Sequence, residues 1–221
     1  MFCGELLSRK ESYCCSECIP KITYLSEPFC LKCGKEIDSE EDEFCQDCSN
    51  HTRSFVKGFP ALAYVEPVSE AVGALKYKNK RSYAEYFARE IVKIHGKSIA
   101  NLGVEALIPV PIHPKKLKKR GYNQAKIIAD RLGELMRIPV DDEILFRDRN
   151  TLPQKELDSI EREKNLKNAF YSAKEIVQYK RVLLVDDIYT TGATIEACTK
   201  ILQQIGVSGV YYTSICIGKG N

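Results

Sequence analysis

At 221 residues, with 44% apolar and 29% charged side chains, the chain has room for one ordinary globular domain plus an appendage. This composition excludes a membrane-embedded protein, since no apolar run nears the ~18 residues of a spanning helix. The N-terminus also lacks the basic start and long apolar stretch of a secretory signal. A cytoplasmic protein without membrane insertion is therefore expected. Charge is unevenly spread: residues 1–50 carry 5 Lys/Arg against 11 Asp/Glu, and the remainder carries 28 against 19. An acidic head beside a basic body predicts two units, 1–52 and 53–221, with anionic ligands belonging to the second.

Eight of the ten cysteines fall in the head, at positions 3, 14, 15, 18, 30, 33, 45 and 48. Crowded cysteines in a cytosolic chain point to metal rather than disulfides. Cys30, Cys33, Cys45 and Cys48 form two C-x2-C knuckles. Each turn aims two thiolates at one centre, and four thiolates close a tetrahedral shell suited to structural zinc. Gly34 is expected to allow the tight backbone after the first knuckle. Cys15 and Cys18 form a third knuckle whose partners are either Cys3 and Cys14 or one of the later pairs. His51 is at most an alternate ligand. With so little apolar content, residues 28–50 need the ion to hold a fold.

From residue 53 the pattern becomes α/β. A strand is expected over 59–65, a helix after Pro67, and a second helix over 82–95 with Ala84, Phe87, Ala88, Ile91 and Val92 on one face. The run 106–112 reads as a strand closed by prolines, 115–119 as a lysine-rich loop, and 122–136 as a helix. Further strands are expected over 144–147, 182–185 and 209–217, with a helix over 193–205. Alternating strands and helices imply a mostly parallel sheet covered on both faces. Ligands of such sheets sit beyond the carboxyl ends of the strands. Cys198 and Cys216 read as small buried apolar residues.

The stretch VLLVDDIYTTGAT, residues 182–194, sets a buried strand against two carboxylates and a small, hydroxylated turn into a helix. Open N–H groups at a helix start and threonine hydroxyls suit a phosphate. The stretch resembles the phosphoribosyl pyrophosphate (PRPP) loop of type I phosphoribosyltransferases. That resemblance implies that Thr190, Thr191, Gly192, Ala193 and Thr194 hold a 5′-phosphate and that Asp186 and Asp187 hold ribose hydroxyls, with Mg2+ accompanying PRPP.

Two further stretches extend the likeness. Arg120-Gly-Tyr-Asn-Gln-Ala follows the strand containing Pro-Val-Pro, and a polar stretch over 149–170 contains Gln154, Lys155, Leu157, Arg162, Asn165, Ala169 and Phe170. With the cysteine head and the PRPP loop, these resemble the ComF family of competence proteins over essentially the whole chain. The resemblance assigns Arg120, Asn123 and Gln124 to the phosphate-binding set, and Lys155 and Arg162 to leaving-group charge in a loop over the pyrophosphate. A charged surface helix accounts for 156–168 equally well. Lys76, Lys78, Lys80 and Arg81, with Tyr77 and Tyr83 interleaved, suit either a solvated helix end or single-stranded nucleic acid.

The expectation is therefore a phosphoribosyltransferase-like domain bearing a small zinc module. The ComF resemblance implies an accessory role in DNA uptake during natural transformation, handling incoming single-stranded DNA near the uptake machinery. Its partner there is a DNA-translocating ATPase. The alternative is an active transferase passing ribose 5-phosphate from PRPP to a nucleobase or another nitrogen acceptor. No nucleobase pocket is recognisable in the sequence.

Overall fold

The computed structural model describes residues 14–147 and 169–218. The body is built on a four-stranded parallel sheet: β1 (Gly58–Ala63), β2 (Ala106–Pro109), β5 (Arg181–Tyr189) and β6 (Gly209–Ile217), in the order β1-β6-β5-β2. Pro60, which has no N–H to give a ladder, lies in β1 at the edge. At the other edge a parallel bridge from Leu107 to Val140 continues past β2. The helices are α1 (Gln46–Asn50), α2 (Val68–Tyr77), α3 (Tyr83–Asn101), α4 (Pro114–Arg120), α5 (Gln124–Met136) and α6 (Ala193–Gln204).

Strand β5 shows how the layers are bound together. Val182 and Leu184 pack on one face with Ile108, Tyr212, Cys198 and Leu202. Leu183 and Val185 pack on the other with Leu75, Phe87, Ile91, Ile128 and Cys216. Period-two alternation thus feeds two cores. The first core includes α6 and extends into the cysteine head through Phe55, Cys30 and Cys33. The second is covered by α2, α3 and α5. The sheet is buried on both faces, as the fully apolar strands required. Cys198 and Cys216 are both fully buried.

Several element expectations need correction. Strand β5 does not stop at Val185. It continues through the acid pair to Tyr189 because β6 offers a nine-residue partner, pairing Asp186 with Ser214 and Ile188 with Cys216. Strand β2 is shorter than 106–112, since the prolines at 109 and 111 remove ladder donors and the Val110 N–H makes the last bond, to Val185 O. The lysine-rich run is helix α4 rather than a loop. His113 caps it by accepting from the Lys115 N–H at 3.1 Å, Pro114 opens it, and Gly121 closes it in the left-handed region. Residues 144–147 do not join the parallel sheet: only β3 (Phe146–Arg147) is strand, paired antiparallel with β4 (Phe170–Tyr171). Of the polar stretch, Ala169 and Phe170 are described and buried. Gln154, Lys155, Leu157, Arg162 and Asn165 lie outside the described residues, as does Cys3.

Candidate phosphate-binding loop and zinc ribbon

Strand β5 delivers its chain directly into the turn Thr190-Thr191-Gly192 and then α6. Gly192 occupies the left-handed region at φ +75°, and a Cβ there would stand 2.2 Å from Tyr189 Oη. Only glycine fits. No side chain caps α6, so the first N–H groups of the helix remain open at the turn. Thr190 and Thr191 are exposed, and Ala193 and Thr194 half-buried.

The two carboxylates point to opposite faces of the sheet, as successive strand residues must. Asp187, 4% exposed, meets the Lys76 ammonium from α2 at 2.9 Å. Its Oδ2 has this ion pair as its partner. Burial pulls the Lys76 ammonium down, yet Asp187 and then Asp186 outweigh it and raise the pKa above the ordinary lysine value. Asp186 accepts from the Asp187 N–H at 2.8 Å. Burial, then the Asp187 charge, push its carboxyl up to about 7, against the downward pull of that N–H, Lys76 and Arg147.

Among the described residues, the buried Arg53 Nε, Arg147 Nε and Tyr189 Oη have no hydrogen-bond partner, and Asp187 Oδ2 has the Lys76 ion pair alone. Two are on or within two residues of the acid pair in β5. Arg53 donates from Nη2 to Thr191 O at 2.7 Å. Arg147 senses the Asp186 charge, while burial lowers its pKa. Unsatisfied buried groups are uncommon in folded proteins, and two of these, Tyr189 Oη and Arg53 Nε, belong to side chains that touch the 191–192 turn.

Beyond the end of β2, the residues 120–124 are held by contacts within the protein. Asn123 caps α5 by accepting from the Ala125 N–H at 3.0 Å and donates to Val110 O at 2.9 Å. Arg120 donates to the buried Gln124 side chain and lies 5.2 Å over the ring of Tyr77, which is 78% exposed. The Arg81 guanidinium lies 4.3 Å over Tyr122. Thus the two basic segments, 76–81 and 115–120, converge on one surface. Lys116 reaches solvent, yet its pKa is lowered, first by partial burial and then by Arg147, Arg120 and Lys76. Beside this surface lies a cleft of about 870 Å³ lined by Tyr122, Asn123, Lys126, Phe146, Arg147 and Tyr171, among others.

In the head, the Sγ atoms of Cys30, Cys33, Cys45 and Cys48 lie within 4.8 Å of one another, with Cys33 and Cys45 at 3.6 Å. A tetrahedral site with Zn–S of about 2.3 Å has sulfur–sulfur edges of about 3.8 Å. The donor set and spacing fit structural zinc. Hydrogen bonds from neighbouring thiols, Cys33 foremost, hold the Cys30 thiol below its ordinary value. Gly34, at φ +75°, turns the chain so closely against β1 that a Cβ would stand 2.6 Å from Pro60 Cδ. His51 is not part of the cluster among the described residues. Cys14 and Cys18 are buried.

Residues 117–217 match the phosphoribosyl transferase domain family, and residues 1–49 match the double zinc ribbon domain family. The class is thus a phosphoribosyltransferase-type α/β domain carrying a zinc ribbon. Competence protein F of Haemophilus influenzae is 34% identical over 205 residues, covering 89% of this chain and 86% of that protein. DNA utilization protein YhgH of Escherichia coli K12 is 25% identical over 91% of this chain and 89% of its own. Competence protein ComFC of Streptococcus pneumoniae is 24% identical over 95% and 90%. The chain belongs to the ComF family. No helix among the described residues is long and apolar enough to cross a membrane.

The sequence did not single out Arg53, Arg147 or Tyr189, and it noted Lys76 only as one member of a basic cluster. Each acquires its place from a distant element. One local signal was available: Asn123 directly before a helical period is an N-cap pattern.

Proposed function

We propose that the protein is a ComF-type accessory factor for DNA uptake that handles incoming single-stranded DNA and keeps a binding site for PRPP or a related 5′-phosphate. The observation that carries this reading is the Gly192 turn, with open helix N–H groups and unpartnered Tyr189 Oη and Arg53 Nε beside it. In this reading Thr190, Thr191, Gly192, Ala193 and Thr194 hold the phosphate through N–H and hydroxyl donors. Asp186 and Asp187 accept from the ribose hydroxyls, with Lys76 paired to Asp187 at 2.9 Å. Mg2+ bound with PRPP would supply charge neutralisation to the pyrophosphate. Lys155 and Arg162 are proposed to meet the pyrophosphate from the stretch preceding β4. Arg120 and Gln124 steady the approach beside β2, with Asn123 fixing the helix that carries them.

Support for the DNA role comes from the relatives, whose names speak of competence and DNA utilization. The surface where Arg120 lies over the exposed Tyr77, with Arg81 covering the buried Tyr122 beside it, has the basic–aromatic character that suits single-stranded DNA. A DNA-translocating ATPase is the proposed protein partner.

The cleft at Arg147 favours a second reading, an active transferase. Its aromatic walls, Phe146 and Tyr171, offer an acceptor base a place beside Arg147. Transfer breaks the C1–pyrophosphate bond through an oxocarbenium-like state and forms a bond to the acceptor nitrogen, which loses a proton. Pyrophosphate release, measured with Mg2+-PRPP across nucleobases and single-stranded DNA, separates the readings. Binding without release supports the accessory role, and release with one acceptor class establishes the transferase.

A further inference from the structure

The zinc ribbon is fastened to the Gly192 turn along two routes. One is the linker following the ribbon. Arg53 Nη2 donates to Thr191 O at 2.7 Å. Ser54 donates from its N–H and its Oγ to the two oxygens of Glu196, 2.7 Å each, in the first turn of α6. Gln203, near the other end of α6, donates to Ser54 O at 3.2 Å. Glu196 is further neutralised by Lys200 at 3.1 Å, so an acid near the helix start does not oppose an incoming anion.

The second route begins at a zinc ligand. Tyr212 Oη donates to the Cys33 carbonyl at 2.7 Å. The Tyr212 ring stacks on Tyr189 with centroids 4.8 Å apart and planes 8° apart. Phe55 packs edge-on to both rings. Tyr189 is 2% exposed, and its unpartnered hydroxyl lies against Gly192. Packed aromatic rings and charge-assisted bonds transmit displacement because they do not compress.

From these contacts we propose that Arg53 is a positioning residue for the 190–194 turn, and that zinc at the four cysteines and a phosphomonoester at the turn bind with positive coupling. This rests on the reading of the turn as a phosphate site. Arg53 holds the Thr191 carbonyl away from the anion and fixes the peptide whose neighbours present their N–H groups. Zinc fixes the Cys33 carbonyl, hence Tyr212 and Tyr189, and so the floor beneath Gly192. Coupling free energies are reciprocal: the ester must tighten zinc binding by the same factor as zinc tightens the ester.

The test uses the full zinc-loaded chain and ribose 5-phosphate. Arg53→Ala is expected to speed amide hydrogen exchange across 190–196 and to weaken ribose 5-phosphate about tenfold, a typical coupling, at unchanged zinc content. Arg53→Lys should recover part of the affinity. Ribose 5-phosphate should strengthen zinc retention against a chelator about tenfold in the wild type and distinctly less in Arg53→Ala. Binding that ignores both Arg53→Ala and zinc removal overturns the coupling alone. A wild-type protein that does not bind ribose 5-phosphate overturns the phosphate reading of the turn and this coupling with it.

Discussion

Asp186 and Asp187 share a strand but not an environment, and their chemistry diverges accordingly. Asp187 has Lys76 at 2.9 Å. Asp186 faces the other way, and its carboxyl is pushed up to about 7. A carboxyl whose folded pKa exceeds its unfolded value near 3.8 binds more protons when folded. Stability is therefore lost as pH rises from about 4 to 7, by up to about 1.4 kcal/mol per unit. Asp186→Asn, which mimics the protonated acid, should raise the melting temperature of the ligand-free protein more at pH 8 than at pH 5. A gap that ignores pH would remove Asp186 as the titrating group. Gly192→Ala tests the turn itself. With a positive φ and Tyr189 Oη in the way, it should cost about 1–3 kcal/mol and abolish ribose 5-phosphate binding. Retained stability and binding together would refute the packing described for the turn.

At the scale of elements, the stretch from β5 through the turn to α6 was legible because its signals are local: an apolar strand, acids, a glycine turn and a helical period. The extent of β5 was not, because its last residues are held by the matching length of β6. The lysine run 115–119 read as a loop, since charge alone has no period. Its helical state rests on His113, Pro114 and Gly121, caps that were readable but outweighed by the charge. The C-x2-C knuckles were legible as spacing, and the fold brings their four sulfurs together. Cys30→Ser should therefore lose about one zinc per chain, the content of a four-ligand site, and expose residues 28–50 to protease. Unchanged zinc content would place the metal elsewhere in the head.

Across the whole molecule, the candidate site depends on convergence that no local pattern announces. Lys76 comes from α2 to pair with Asp187, Arg53 from the linker to hold Thr191 O, and Arg147 from β3, where the Asp186 charge reaches it. The same holds for the basic–aromatic surface, assembled from 76–81 and 115–120, segments some forty residues apart in the sequence. If single-stranded DNA lies there, Arg81→Ala with Arg120→Ala should weaken oligothymidylate binding. The slope of log affinity against log salt should fall by about 1.4, the loss of two phosphate contacts. An unchanged slope would move the DNA to another face. Calorimetric titration with Mg2+-PRPP asks whether residues 186–194 form the proposed site for a phosphorylated ribose. Saturable binding to the wild type is expected, and it should disappear in Asp187→Ala with Thr191→Ala. No binding by the wild type, or equal binding by the double variant, would contradict that assignment.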